Sequence, residues 1–171
     1  KHSVHIDFYF LIKMVITAKP VIYMYSDEEL TASVQIDPLS NLSFTYPAYK
    51  DGWNVNVNKD GLAVAEQTYP YLFWEGDSYN YEFQTENGTI EGFMIHQSKM
   101  AQTLETVLSE YGLNSKERVD FITFWAPQMQ KSEFYLIQFL EDEVYDREVS
   151  KLTINPQPES IKRLYMLCAP V

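Results

Sequence analysis

Leu30-Thr31-Ala32-Ser33-Val34-Gln35-Ile36-Asp37-Pro38 and, further on, Trp53-Asn54-Val55-Asn56-Val57-Asn58-Lys59-Asp60-Gly61 are the stretches on which the fold turns. In both, apolar residues occupy every second position and polar residues fill the gaps. Side chains on a strand alternate between faces, so each stretch reads as a half-buried strand with one apolar side and one wet side. Asp37-Pro38 ends the first, and Asn58-Lys59-Asp60-Gly61 is a strong turn signal after the second. Working outward, Leu42, Phe44 and Tyr46 alternate in the same way as far as Pro47. Val21 to Tyr25 reads as a strand entered through Lys19-Pro20, since proline lacks an amide donor and suits a strand start or edge. The acidic turn Ser26-Asp27-Glu28-Glu29 closes it. Short strands with turns at this spacing predict a β-sandwich-like unit.

Tyr69-Pro70-Tyr71-Leu72-Phe73-Trp74-Glu75-Gly76 is the densest aromatic run, followed by Tyr79, Tyr81 and Phe83. Glu86-Asn87-Gly88-Thr89 reads as a hairpin turn into a strand over Ile90 to His96. There the period changes. Met100, Leu104, Val107, Leu108 and Tyr111 follow helical spacing, with Ser98 as the expected N-cap and Gly112 just past the end. Asn114 with Glu117 three residues on resembles a capping box, starting a second helix that carries Val119, Ile122 and Trp125. Pro127 should kink or end that helix near Ala126. Phe134 to Leu140, Lys151 to Ile154 and Ile161 to Cys168 read as strands. The expected class is α+β: an N-terminal β-sandwich-like unit over residues 19–96, packed with a C-terminal α+β unit of two helices over residues 97–171. No internal repeat or linker separates them, so one compact domain is expected.

Residues 1–18 stand apart. Val4, Ile6, Phe8, Phe10, Ile12, Met14 and Ile16 occupy alternate positions and are all apolar. As a strand, this arm carries one unbroken apolar stripe. Such a stripe aggregates unless it is paired, and pairing across chains is an established use of such strands. The arm therefore predicts a homo-oligomer formed by strand donation, or else a strand added to the chain's own sheet. A signal-peptide core over Phe8 to Ala18 fits less well, because Asp7 and Lys13 break the apolar run. The chain opens on Lys1 rather than Met, as a processed or incompletely defined start would.

The chain has 171 residues, enough for one domain with a real core. Its 13 Tyr, 10 Phe and 3 Trp argue for a folded, β-rich protein. Thirteen basic residues against 24 acidic ones give a formal charge of -11, which repels phosphate backbones and anionic membranes. No stretch reaches the ~20 apolar residues of a membrane-spanning helix.

Little in the sequence carries chemistry. His2 and His5 face opposite sides of a strand, and His96 is distant, so no clustered metal ligand set is expected. Cys168 is the single cysteine; it alternates with Leu164 and Met166, and a buried thiol is expected. Asp27-Glu28-Glu29 and Glu141-Asp142-Glu143 with Asp146 lack the spaced ligands and glycine bend of a calcium loop and read as solvated acidic turns. Phosphate-cradling glycine loops, dinucleotide fingerprints and nucleophile elbows are absent. No cofactor and no catalytic residue is assigned. Tyr69, Tyr71, Phe73 and Trp74 are candidates for an aromatic sugar-binding face, weighed against ordinary half-buried strand residues. Asn41-Leu42-Ser43 and Asn87-Gly88-Thr89 match the N-glycosylation acceptor pattern at turn-like places.

From Lys19-Pro20-Val21-Ile22-Tyr23-Met24-Tyr25 onward, the chain resembles a family of uncharacterised, mostly bacterial proteins that carry a Lys-Pro-Val-Ile-Tyr-Leu-Tyr-Pro segment, often after a secretion or lipoprotein signal. The likeness continues through Phe44-Thr45-Tyr46-Pro47, Asp51-Gly52-Trp53 and Tyr69 to Gly76. It resumes at Gly112-Leu113-Asn114, Phe121 to Met129, Pro156 to Ile161 and the closing strand. Ser26 replaces the proline of the motif, and residues 1–18 have no counterpart. The resemblance implies a β-rich fold and an exported setting, and transfers no catalytic residue. Together with the sequons it leads to an expectation of a non-enzymatic, extracellular or cell-surface structural protein, a filament or assembly subunit linked through the arm. A carbohydrate-binding or cell-surface recognition module is the alternative, and an unrecognised hydrolase a further one.

Overall fold

The two alternating stretches become central strands of one sheet. The structure, a computed structural model, describes residues 20–38, 41–76, 83, 85–86, 89–90 and 92–171. The strand-donation stripe from Val4 to Ile16 and the sequon asparagine Asn87 lie outside the described residues. In chain order the strands begin with β1 (Val21–Tyr25), β2 (Leu30–Pro38), β3 (Leu42–Tyr46), β4 (Trp53–Asn58), β5 (Gly61–Val64), β6 (Gln67–Tyr69) and β7 (Leu72–Gly76). Ala32, Val34 and Ile36 of β2, and Trp53, Val55 and Val57 of β4, are buried, while the polar residues between them are exposed. The β4–β5 turn pairs Asn58 with Gly61, and the Asn58 side chain accepts the Asp60 amide.

A second run follows: β8 (Thr85–Glu86), β9 (Thr89–Ile90), β10 (Phe93–His96), α1 (Met100–Glu110), α2 (Ser115–Trp125) and β11 (Phe134–Leu140). The chain closes with α3 (Asp142–Glu148), β12 (Ser150–Asn155), β13 (Ser160–Lys162) and β14 (Tyr165–Pro170).

The chain forms two compact units. The described part of one comprises residues 20–38, 41–76 and 140–165. It holds a five-stranded sheet in the order β12-β2-β4-β5-β6 and a four-stranded sheet in the order β13-β1-β7-β3. The registered strand pairs in both are antiparallel. Strand β1 lies against β4 and β5, so the apolar faces of the two sheets meet. The described part of the other unit comprises residues 83, 85–86, 89–90, 92–139 and 166–171. It contains the β8–β9 hairpin, α1 and α2, and a three-stranded sheet runs in the order β10-β11-β14.

Both long helices are bounded by local chemistry. α1 ends in a Schellman motif: the Leu113 amide reaches the Leu108 carbonyl, the Gly112 amide reaches that of Ser109, and Gly112 adopts φ 75°. At the start of α2 the Asn114 side chain accepts the Glu117 amide, and the Glu117 carboxylate accepts the Asn114 amide at 2.7 Å. That is the reciprocal capping box expected from the spacing.

Several expectations are corrected. The fold is not a balanced α+β: strands take 47% and helices 23% of the described residues, in three sheets with a small hairpin and three short helices, so the class is mainly β. Helix α3 was missed because Glu141-Asp142-Glu143 has the composition of a solvated turn. Its acidic first turn suits the positive end of a helix dipole. Ser98 does not cap α1. It sits in a 3₁₀ turn over Gln97–Lys99, where the His96 ring accepts the Ser98 amide, and Lys99 precedes α1. The expected strand over Ile161 to Cys168 is broken between β13 and β14, at Arg163 and Leu164.

Candidate recognition surface

Strand β3 ends its sheet among the described residues, and its outward side chains are aromatic. Cross-strand partners share a face, so the pairing of Tyr46 with Phe73 and of Phe44 with Glu75 sets three rings and one carboxylate on the same side. Phe44 and Phe73 meet edge to face at 5.9 Å between centroids. Tyr46 meets Tyr69 of β6 at 5.4 Å and 78°. Phe44 is 54% exposed and Tyr46 53%. Large rings this exposed are normal singly; Phe44 and Tyr46, with half-buried Phe73 and Tyr69 beside them, form a patch. Each ring is held by its neighbour, because an edge-to-face pair is worth about 0.5–1.5 kcal/mol beyond area burial. The result is a ridge of Phe44, Phe73, Tyr46 and Tyr69 with Glu75 at one end.

The sequence candidates divide along the strand alternation. Tyr69 and Phe73 belong to the ridge. Trp74, on the opposite face of β7, is only 2% exposed and lies in the core. Tyr71 is half-buried with its ring edge-on to Tyr23 at 5.4 Å. In sequence, Phe44 and Tyr46 show only the alternation of a strand. Their signal was an outward phase opposite to that of a core strand, and it becomes visible only once Thr45 pairs with buried Trp74. Asn41 is exposed immediately before β3.

The β3–β4 connection is firmly built. The Tyr49 hydroxyl accepts the Ile36 amide at 3.0 Å and donates to the Ile36 carbonyl at 3.1 Å, taking the place of a strand partner beyond the start of β4. The Tyr49 ring packs against Trp53 at 4.6 Å, and the Trp53 indole donates to the Pro47 carbonyl at 2.8 Å. Lys50 has φ 49° and Gly52 φ 134°. A Cβ on Gly52 would lie 3.3 Å from the Val34 carbonyl oxygen.

The remaining candidates are structural. His96 caps the 3₁₀ turn, packs on Phe134 at 5.1 Å and lies 3.7 Å from Glu133. Asp142 and Asp146 both pair with Arg163, at 3.0 and 2.7 Å, and the guanidinium covers the Tyr145 ring at 4.6 Å. The acidic segment is solvent-exposed as expected, but it opens a helix rather than a turn, and the Arg163 side chain, 8% exposed, clamps that helix. Asp27 to Glu29 are exposed. Cys168 is buried in β14 with its sulfur 3.2 Å from that of Met129, and burial pushes its thiol up to about 12. Among the described residues no three His, Cys, Asp or Glu converge as metal ligands, and no helix is long and apolar enough to cross a membrane.

The chain is 51% identical over 63 residues to a protein of Butyrivibrio fibrisolvens named "Uncharacterized protein in bglA 3'region". The match takes in 34% of this chain and 66% of that protein, just under two thirds of its length. No protein-family model and no solved structure matches the chain.

Proposed function

We propose that this protein is a non-enzymatic, exported recognition module that binds carbohydrate on the ridge of Phe44, Phe73, Tyr46 and Tyr69. The observation that carries the reading is two edge-to-face ring pairs, Phe44 with Phe73 and Tyr46 with Tyr69, which leave Phe44 and Tyr46 exposed beside half-buried Phe73 and Tyr69. Flat rings offer apolar faces to the C–H groups of a pyranose, and Glu75 beside them accepts hydrogen bonds from sugar hydroxyls. Nucleic acid offers the same flat faces, but the charge of -11 opposes it. The exposed sequon at Asn41 and the family resemblance support an extracellular setting. Binding of soluble polysaccharides in affinity electrophoresis tests the reading. Phe44→Ala with Phe73→Ala should weaken retardation at least ~10-fold, the ~1.4 kcal/mol scale of one lost ring contact. Undiminished retardation of the double variant, or no retardation of the parent by any of a broad panel, removes it.

A second reading, assembly through the N-terminal arm, is favoured by the open edge of β3. That strand pairs on one side only among the described residues, and its outward residues are apolar. Edges of this kind accept an added strand, and the arm's stripe has the matching alternation. Removal of residues 1–17 should then shift the sedimentation coefficient to that of a smaller species; an unchanged assembly state rules it out.

A further inference from the structure

The outer face of the five-stranded sheet carries a concavity. Ser33 and Gln35 of β2, Asn54 of β4, and Lys50, Asp51 and Gly52 of the β3–β4 connection surround a depression of about 310 Å³. That volume lies at the small end of the ~300–1,000 Å³ typical of small-molecule sites.

Two sets of neighbouring polar groups on this sheet and its turn are already engaged. Next to it along β2, Thr31 donates to the Asn56 side chain at 2.8 Å. At the turn, Asn58 holds the Asp60 amide. In the depression, by contrast, the side chains of Gln35, Asn54, Lys50 and Asp51 make no hydrogen bond or ion pair among the described residues, and Ser33 donates to the Asn155 carbonyl. The wall that presents Lys50 and Asp51 is fixed by the paired hydrogen bonds of Tyr49 and by the Trp53–Pro47 bond. The floor approaches closely because Gly52 has no Cβ. The backbones of Gln35 and Asn54 are fixed by strand pairing, with Thr153 and Ser33 respectively, so only the side-chain rotamers of the two amides remain to be ordered on binding.

The chemistry of the lining selects the ligand. Lys50 and Asp51 cancel, so the site has no net charge of its own, and the -11 of the chain disfavours anions. Amide and hydroxyl side chains both donate and accept, as sugar hydroxyls do. We propose that this depression is a binding site for a single neutral sugar residue, with Gln35 and Asn54 making hydrogen bonds to adjacent hydroxyls and Asp51 accepting from a third. It rests on the carbohydrate reading of the ridge and adds to it a second site, on the other sheet, that would recognise one residue rather than stack on a chain.

Saturation-transfer NMR on the full chain, with glucose, galactose, mannose and xylose as separate probes and inorganic phosphate as the anionic control, tests it. At least one sugar should show saturation transfer, lost in Gln35→Ala with Asn54→Ala and kept in Phe44→Ala with Phe73→Ala. The substituted amides are exposed strand positions, so both variants should fold. If the ridge variant loses every signal and the amide variant none, the ridge reading stands and the depression is not a site. If phosphate binds and no sugar does, or the amide variant binds as the parent does, the proposal is overturned.

Discussion

At the residue scale, Gly52 and Cys168 show how backbone geometry and burial each make a testable demand. Gly52 combines a left-handed φ of 134° with a 3.3 Å approach to the Val34 carbonyl. An L-residue there is strained and crowded, so Gly52→Ala should destabilise by more than about 1 kcal/mol in urea unfolding. Cys168 is buried, and its thiol is held up to about 12 by desolvation. Up to a pH of about 8.5 the folded and unfolded chains both keep the proton. Above that, the unfolded chain loses it first, so the thiol's contribution fades as pH rises towards the folded value, by at most about 1.4 kcal/mol per unit. The stability gap between the parent and Cys168→Ala should therefore narrow from pH ~8 to pH ~10. A constant gap would mean that the thiol ionises as freely in the folded protein.

At the element scale, short helices depend on their ends. Replacing Asn114 by Ala removes the acceptor for the Glu117 amide and leaves a buried Glu117 without its reciprocal framework, costing about 1 kcal/mol. Chemical unfolding of the variant measures this directly. α3 has seven residues, too few to persist without tertiary support. Its support is Arg163, which bridges Asp142 and Asp146, donates to the Asp142 backbone carbonyl at 3.3 Å and covers Tyr145. Arg163→Ala should raise amide hydrogen exchange in residues 142–148 while that in β2 and β4 stays near the parent level. Loss of protection across the whole sheet would mean that Arg163 supports more than this helix. The Asn114–Glu117 box was legible because its hydrogen bonds are local. The Arg163 clamp was not, because its partners lie 17 and 21 residues away in sequence.

At the scale of the whole molecule, the order of strands in space departs from their order in the chain. β12 pairs with β2 along six registered residues, and β13 pairs with β1 along three. The strands that read as part of a C-terminal unit thus complete sheets begun near Val21 and Leu30. A fragment of residues 19–96 would lose both neighbours and expose the edges of β1 and β2. It should show no cooperative thermal transition by circular dichroism, whereas the full chain should. A sharp transition in the fragment would show that its sheets close without β12 and β13.

The sequence by itself determined which residues alternate, where turns interrupt them and how α2 begins, because these follow from neighbours two to four positions apart. It also set the charge that opposes polyanions. Only the tertiary structure decided that the class is mainly β, since that depends on which distant strands pair. It likewise decided which aromatics face outward. Trp74 and Phe73 are adjacent in an equally apolar run, yet one is core and the other ridge, because strand pairing fixes which phase of the alternation meets the opposing sheet. The depression beside Gly52 was illegible for the same reason: Gln35, Asn54 and Lys50 converge through hydrogen bonds between strands and one tyrosine hydroxyl, a closeness that no local pattern records.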